Sequence, residues 1–155
     1  MWSDRSTRCK REKAVDADRC RGLRSWFDGI CRKKKIMKPK ELVIQWVDAF
    51  NKGDADLIAE FYADNAVNHQ VANDPIEGKK AIKEMFSAEF SQADMTCIIE
   101  NIFEDGDWAI LEWKDPLGLR GCGFFHIQNG KIVFQRGYWD KLSFLRMHNL
   151  PIPSE

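Results

Sequence analysis

Two carboxylates, Asp115 and Asp140, are the residues of this 155-residue chain best suited to moving protons, and its three histidines are His69, His126 and His148. Asp140 directly precedes Lys141-Leu142-Ser143, where a carboxylate suits a helix N-cap; desolvated beside a pocket, the same carboxyl would act as an acid or base with a raised pKa. Asp115 opens the turn Asp115-Pro116-Leu117-Gly118, in which proline presets φ for the second position. The histidines are isolated and lack metal-ligand spacing. The five cysteines, Cys9, Cys20, Cys31, Cys97 and Cys122, form no CxxC pair, and their odd number leaves at least one without an intrachain partner. No phosphate loop, nucleophile elbow or dinucleotide fingerprint occurs, so the sequence calls for neither a metal nor a cofactor.

The element that must position these groups is Gly121–Asp140, GCGFFHIQNGKIVFQRGYWD. Apolar and aromatic residues fill 123–127 and 132–134, and Asn129-Gly130 between them is a strong hairpin signal because both residues tolerate positive φ. Loop length decides what His126 faces. A two-residue loop pairs 127 with 132 and sets His126 beside Val133, Gln135, Gly137 and Trp139; a three-residue loop sets it beside Asp140.

Upstream, Val43, Trp46, Val47 and Phe50 keep the i, i+3, i+4, i+7 spacing of one helix face, and Gly53 ends that helix. Asp54 caps a second helix carrying Leu57, Ile58 and Phe61. Residues 66–71 form a brief extended stretch, and Asn73-Asp74-Pro75 turns the chain. Gly78 then precedes a third helix with Ala81, Ile82, Met85, Phe86 and Phe90 on one face. After Ala93 the period changes to two through Met95, Cys97 and Ile99, and a strand at 108–114 leads into the hairpin. One or two helical turns around Leu142 and Leu145 end before Pro151. Three helices followed by four longer strands in a meander predict an α+β domain, with helices on one face of a curved antiparallel sheet.

Charge divides the chain. Residues 1–36 carry 12 basic and 5 acidic residues, a net +7, while 37–155 are net −7. The basic segment reads as a disordered or marginally helical extension, with Met37 as an alternative start. The acidic globular part argues against nucleic acid as a partner, and no apolar run is long enough to cross a membrane. Reduced thiols and the lack of a secretory h-region point to a cytoplasmic protein.

Phe61-Tyr62-Ala63-Asp64 before a short strand, Glu77-Gly78 opening helix three, Gly130-Lys131-Ile132, and Tyr138-Trp139-Asp140 followed by Ser143 and Leu145 together resemble the nuclear transport factor 2-like superfamily. Within it they are similar to the SnoaL-like, ester-cyclase-like group, over about residues 38–150. The resemblance implies a cone-shaped fold whose open end holds a mostly apolar pocket, often in a homodimer packed through the sheet. It places Asn68 and Gln70 where polar groups orient water or a carbonyl, with Trp113, Gln135 and Trp139 in the pocket wall. Limonene-type epoxide hydrolases use Arg-x-Asp on a middle strand and an Asp on the last. Here Asp115 matches the first Asp, Trp113 replaces the arginine, and Gly137 stands where the second acid is expected. Epoxide hydrolysis by that mechanism is therefore rejected.

Two readings of function remain. One is a non-catalytic module whose apolar pocket binds a small hydrophobic metabolite. The other is a proton-transfer enzyme (isomerase, cyclase or dehydratase) on a carbonyl-bearing small molecule, with Asp115 or Asp140 as the acid–base group. Homodimerisation is expected in either case, because an aromatic-rich sheet face opposite the helices would otherwise be exposed.

Overall fold

The computed structural model describes residues 37–152, so the readings of segment 1–36 and of Cys9, Cys20 and Cys31 fall outside the described residues. Helix α1 (Pro39–Phe50) starts on a proline at its first turn, where the missing N–H costs nothing, and buries Leu42, Val43, Trp46, Val47 and Ala49. A turn through Gly53, at φ +65°, separates it from α2 (Ala55–Ala59), and the Asp54 carboxylate accepts from the Leu57 amide at 2.9 Å as the N-cap. There follow β1 (Tyr62–Gln70), β2 (Ile76–Glu77), α3 (Lys79–Gln92), β3 (Ile98–Asp105), β4 (Trp108–Lys114), β5 (Arg120–Gln128), β6 (Lys131–Trp139) and α4 (Lys141–Met147).

The six strands form one sheet in the order β2-β1-β6-β5-β4-β3, antiparallel except where β1 runs parallel to β6. Side chains of α1, α2 and α3 pack with Ala109, Leu111, Phe125, Ile127 and Ile132 from the inner face of the sheet, and a fully buried aliphatic side chain of this kind contributes roughly 1.5–3 kcal/mol. This is the expected α+β architecture, with a fourth short helix where one or two turns were read. Among the described residues no helix is long and apolar enough to cross a membrane.

Two extended segments differ from the sequence expectation. The brief stretch at 66–71 is the end of a nine-residue strand, β1. Its polar sequence YADNAVNHQ lacks a clean alternation, and its register against β6 slips between Tyr62 and Val67, so a parallel neighbour rather than local pattern makes it a strand. Conversely, Met95 and Cys97 precede β3, which begins at Ile98. The Asn51 side chain takes the place of a neighbouring strand there: its Nδ2 donates to the Cys97 carbonyl at 3.0 Å, and its Oδ1 accepts from the Cys97 amide at 2.7 Å.

The hairpin loop has two residues, Asn129 at φ +52° and Gly130 at φ +74°, and pairs Ile127 with Ile132. A bulge immediately beyond it pairs His126 with Phe134, not with Val133. The two-residue loop is therefore present without the facing expected from it. One extra residue in β6 turns every later side chain over. Phe125, Gly123 and Gly121 share the inner face with Gln135, Gly137 and Trp139, while His126 lies on the outer face, its ring stacked on Trp108 at 4.5 Å. That outer face also carries Phe124 against Tyr138 and the Arg136 guanidinium 5.0 Å from the Phe134 ring centroid.

The reciprocal Asn51–Cys97 pair ties the end of α1 to the lead into β3. Replacing Asn51 with Ala leaves a partly buried N–H and C=O unpaired, and a loss of about 1–3 kcal/mol is expected in urea unfolding. A change below about 0.5 kcal/mol would show that water replaces the amide without cost.

Candidate functional site

A cavity of about 140 Å³ lies between the concave inner face of the sheet and the helices, room for a molecule about the size of one six-membered ring. Trp46 and Phe50 of α1, Phe86 of α3, Leu111 and Trp113 of β4 and Phe125 of β5 supply apolar walls. Gln70, Gln135 and Trp139 reach it from β1 and β6, Glu89 and Gln92 from α3, and Asp115, Phe144 and His148 from the turn after β4 and from α4.

The polar wall is held from behind by a chain of hydrogen bonds. Trp139 Nε1 donates to Gln70 Oε1 at 3.0 Å, Gln70 Nε2 to Asn68 Oδ1 at 2.8 Å, and Asn68 Nδ2 to Gln135 Oε1 at 3.3 Å. The Tyr62 hydroxyl donates to the same Gln135 oxygen and accepts from Trp46 Nε1 at 3.1 Å. Asn68 is 1 % exposed and Gln135 4 %, and burial keeps the Tyr62 phenol protonated by pushing its pKa far up. With its oxygen claimed twice, Gln135 is locked with the amide NH₂ at the other end, and that NH₂ makes no hydrogen bond among the described residues. Because no fully buried side-chain polar atom among them is unsatisfied, the NH₂ is the donor left to the cavity.

Gly137 occupies the position where an acid is expected in the epoxide-hydrolase pattern. A Cβ there would run into the Gln70 amide, oxygen first, and approach its Cδ to 2.7 Å. Gln70 thus fills the space that a side chain at 137 would need.

Asp115, His148, Glu89 and Cys97 are the ionisable groups of the lining. Asp115, 7 % exposed, accepts from the Leu119 amide at 2.8 Å through Oδ1, and His148 Nε2 lies 3.1 Å from its Oδ2. Asp115 therefore shapes its own turn and faces a histidine 33 residues later. Phe144, one turn before His148, packs its ring 4.5 Å from the imidazole. On α3, Glu89 stands in the wall with no charge or hydrogen bond from the described residues to favour its ionised form, and burial pushes its carboxyl up to about 7. Burial likewise pushes the Cys97 thiol up to about 12.

Of the site residues read from sequence, Asp115, Gln70, Trp113, Gln135 and Trp139 line the cavity, and Asn68 lies behind it, bridging the two glutamines. Asp140 is away from it: exposed, it caps α4 by accepting from the Ser143 amide at 2.6 Å, a bond that holds its carboxyl below the usual range. The sequence reading gave no site role to Glu89, His148 or Tyr62. Glu89 had a readable signal, since it falls three residues after Phe86 and seven after Ile82, a carboxylate on the apolar stripe of its helix. His148 had none, because its contact with Asp115 is purely tertiary. Among the described residues no cluster of His, Cys, Asp and Glu suits a metal ion.

A family model for the SnoaL-like domain matches residues 43–135. Among solved structures, the chain is similar to the epoxide hydrolase/cyclase-like enzyme SalBIII of pyran ring formation in polyether salinomycin (25% identity, TM-score 0.58, covering 67% of this chain and 92% of that one). An LEH-like epoxide hydrolase from M. tuberculosis aligns at 20% identity and TM-score 0.61, over 72% of this chain and 89% of that one. A hypothetical protein of ketosteroid isomerase-like fold from Catenulispora acidiphila, in complex with trimethylamine, aligns at 15% identity and TM-score 0.65, over 74% and 96%. No curated protein matches by sequence. The expected nuclear transport factor 2-like fold is met.

Two outcomes are expected of this geometry. Gly137→Ala should displace Gln70 and cost about 1–3 kcal/mol by unpairing Trp139 and Asn68, visible as a shifted Trp139 indole proton in NMR; an unmoved resonance would show that Gln70 has slack. For Glu89, a folded-state pKa above the unfolded one means the protonated form is favoured on folding, so its contribution is lost as pH rises from about 4.5 to about 7. Glu89→Gln should therefore be more stable than the wild type at pH 8, by on the order of 1–3 kcal/mol, with the advantage gone near pH 4.5. Equal unfolding curves at both pH values would refute this.

Proposed function

We propose, from the premise that this chain belongs to the SnoaL-like domain family, that the cavity binds a small, largely apolar molecule bearing a carbonyl-type oxygen and catalyses proton transfer beside that oxygen. The observation that carries the reading is the contact between Asp115 and His148, both of which line the cavity. A base oriented by a carboxylate is the arrangement general-base catalysis requires. With Nε2–H given to Asp115, His148 keeps Nδ1 as the basic nitrogen. It takes a proton from the carbon next to the carbonyl; the electron pair of that C–H bond becomes a C=C bond as the π pair of the carbonyl moves onto its oxygen. The fixed Gln135 NH₂ donates to the oxygen as its charge develops. Where a second C=C bond lies beside that carbon, return of the proton to the far end of the resulting dienolate shifts that double bond into conjugation with the carbonyl and completes an isomerisation, with no oxidant or cofactor consumed. Asp140, occupied as a helix cap, is left out of this scheme.

The second reading, a binding module without turnover, is favoured by Gly137 at the position where an acid is expected. Exchange of the α-hydrogens of cyclohexanone in D₂O, followed by NMR, separates the two. Wild type should accelerate exchange, His148→Ala should lose that acceleration by a factor on the order of a hundred, and Asp115→Asn should lower it with ketone binding retained. Binding of the ketone, seen in tryptophan fluorescence, without any exchange would establish the module instead.

A further inference from the structure

We propose that the molecule taken up by this cavity carries a positively charged nitrogen, and that Glu89 is its counter-ion. This rests on the reading of the cavity as a ligand site. Among the described residues, the wall contains two carboxyl groups, Glu89 and Asp115, and no Lys or Arg. Asp115 is engaged by Leu119 and His148, whereas Glu89 has no hydrogen-bond or ion-pair partner among the described residues. Its own helix holds three lysines, but each is turned to a different acid: Lys79 to Glu60, Lys80 to Glu84 and Lys83 to Asp56. A carboxylate held in low-dielectric surroundings without a cation of its own is costly, and a cationic ligand is the partner that would relieve it.

The rest of the wall suits such a partner. Trp46, Phe50 and Phe86 form one packed aromatic cluster, with ring centroids 5.4–6.2 Å apart, and Phe86 lies one turn before Glu89 on the same face of α3. Aromatic faces attract ammonium groups through the ring quadrupole, and a methylated ammonium is weakly enough hydrated to leave water for them. Anionic ligands such as carboxylates or phosphates meet the opposite conditions: two carboxyl groups and, among the described residues, no Lys or Arg. Selectivity between an amine and its uncharged analogue is therefore built into the cavity.

The test uses a pair of molecules that differ by charge and hardly in shape: choline, and 3,3-dimethylbutan-1-ol, in which carbon replaces nitrogen. Binding is followed through the cavity tryptophans, Trp46, Trp113 and Trp139. At pH 8 the wild type should prefer choline by on the order of tenfold, and Glu89→Gln should bind both alike. Choline keeps its charge at all pH values, so its affinity should rise between pH 6 and 8 in the wild type as Glu89 ionises. The other titratable groups facing the space are Cys97, Asp115 and His148, with Tyr62 behind Phe86. Burial keeps Cys97 and Tyr62 neutral over this range, and loss of the rise in Glu89→Gln separates Glu89 from the Asp115–His148 pair. Wild type binding the alcohol as well as or better than choline would overturn the cationic ligand while leaving the pocket reading intact. Binding of neither probe, with the fold unchanged, would overturn both.

Discussion

The convergence of two donors on one buried oxygen, Gln135 Oε1, is the constraint on which the site depends. Tyr62 approaches it from the start of β1 and Asn68 from the middle of the same strand, while Gln135 itself sits on β6. Parallel strands joined only by their backbone ladder can slip; here five polar side chains would lose partners if they did. The extension through Gln70 to Trp139, and through Tyr62 to Trp46 of α1, spreads the same constraint over a helix and two strands. Since an unpaired polar group in such surroundings costs about 1–3 kcal/mol, the chain holds together as a unit or not at all.

From this follows the polarity of the cavity. Amide oxygens turn inward to the network, so what remains for a ligand is an N–H donor on one wall and aromatic surface around it. The ionisable groups stand elsewhere, on α3 and around α4, and are treated differently by their surroundings. Asp115 is satisfied by an amide and an imidazole; Glu89, with neither, is driven toward its neutral form by burial alone. Two carboxyls within one cavity thus differ in their surroundings, since among the described residues only Asp115 has partners.

The vacancy at Gly137 has a structural counterpart. Where an acid would project, the Gln70 amide occupies the space and is itself bonded on both sides. A carboxylate cannot return to position 137 without dismantling that amide, so the difference from the epoxide-hydrolase pattern involves the whole polar wall.

Local signals were sufficient for much of the fold. Helical spacing located α1 and α3, Asp54 and Asp140 announced their caps, and Asn129-Gly130 announced its turn, because each depends on residues within a few positions of one another. The alternation that sends Asn68 and Gln70 to one side and His69 to the other was legible for the same reason. What the local pattern missed was decided across the sheet. One bulged residue after an ordinary two-residue turn reversed the facing of His126, and a polar stretch became β1 because β6 was there to pair with it. The site divides along the same line. Residue types in sequence determined which wall positions could be polar. Only the tertiary structure brought His148 to Asp115 across 33 residues, left Glu89 without a partner among the described residues and turned the Gln135 amide toward the cavity, because burial and pairing are properties of neighbours that the chain acquires by folding.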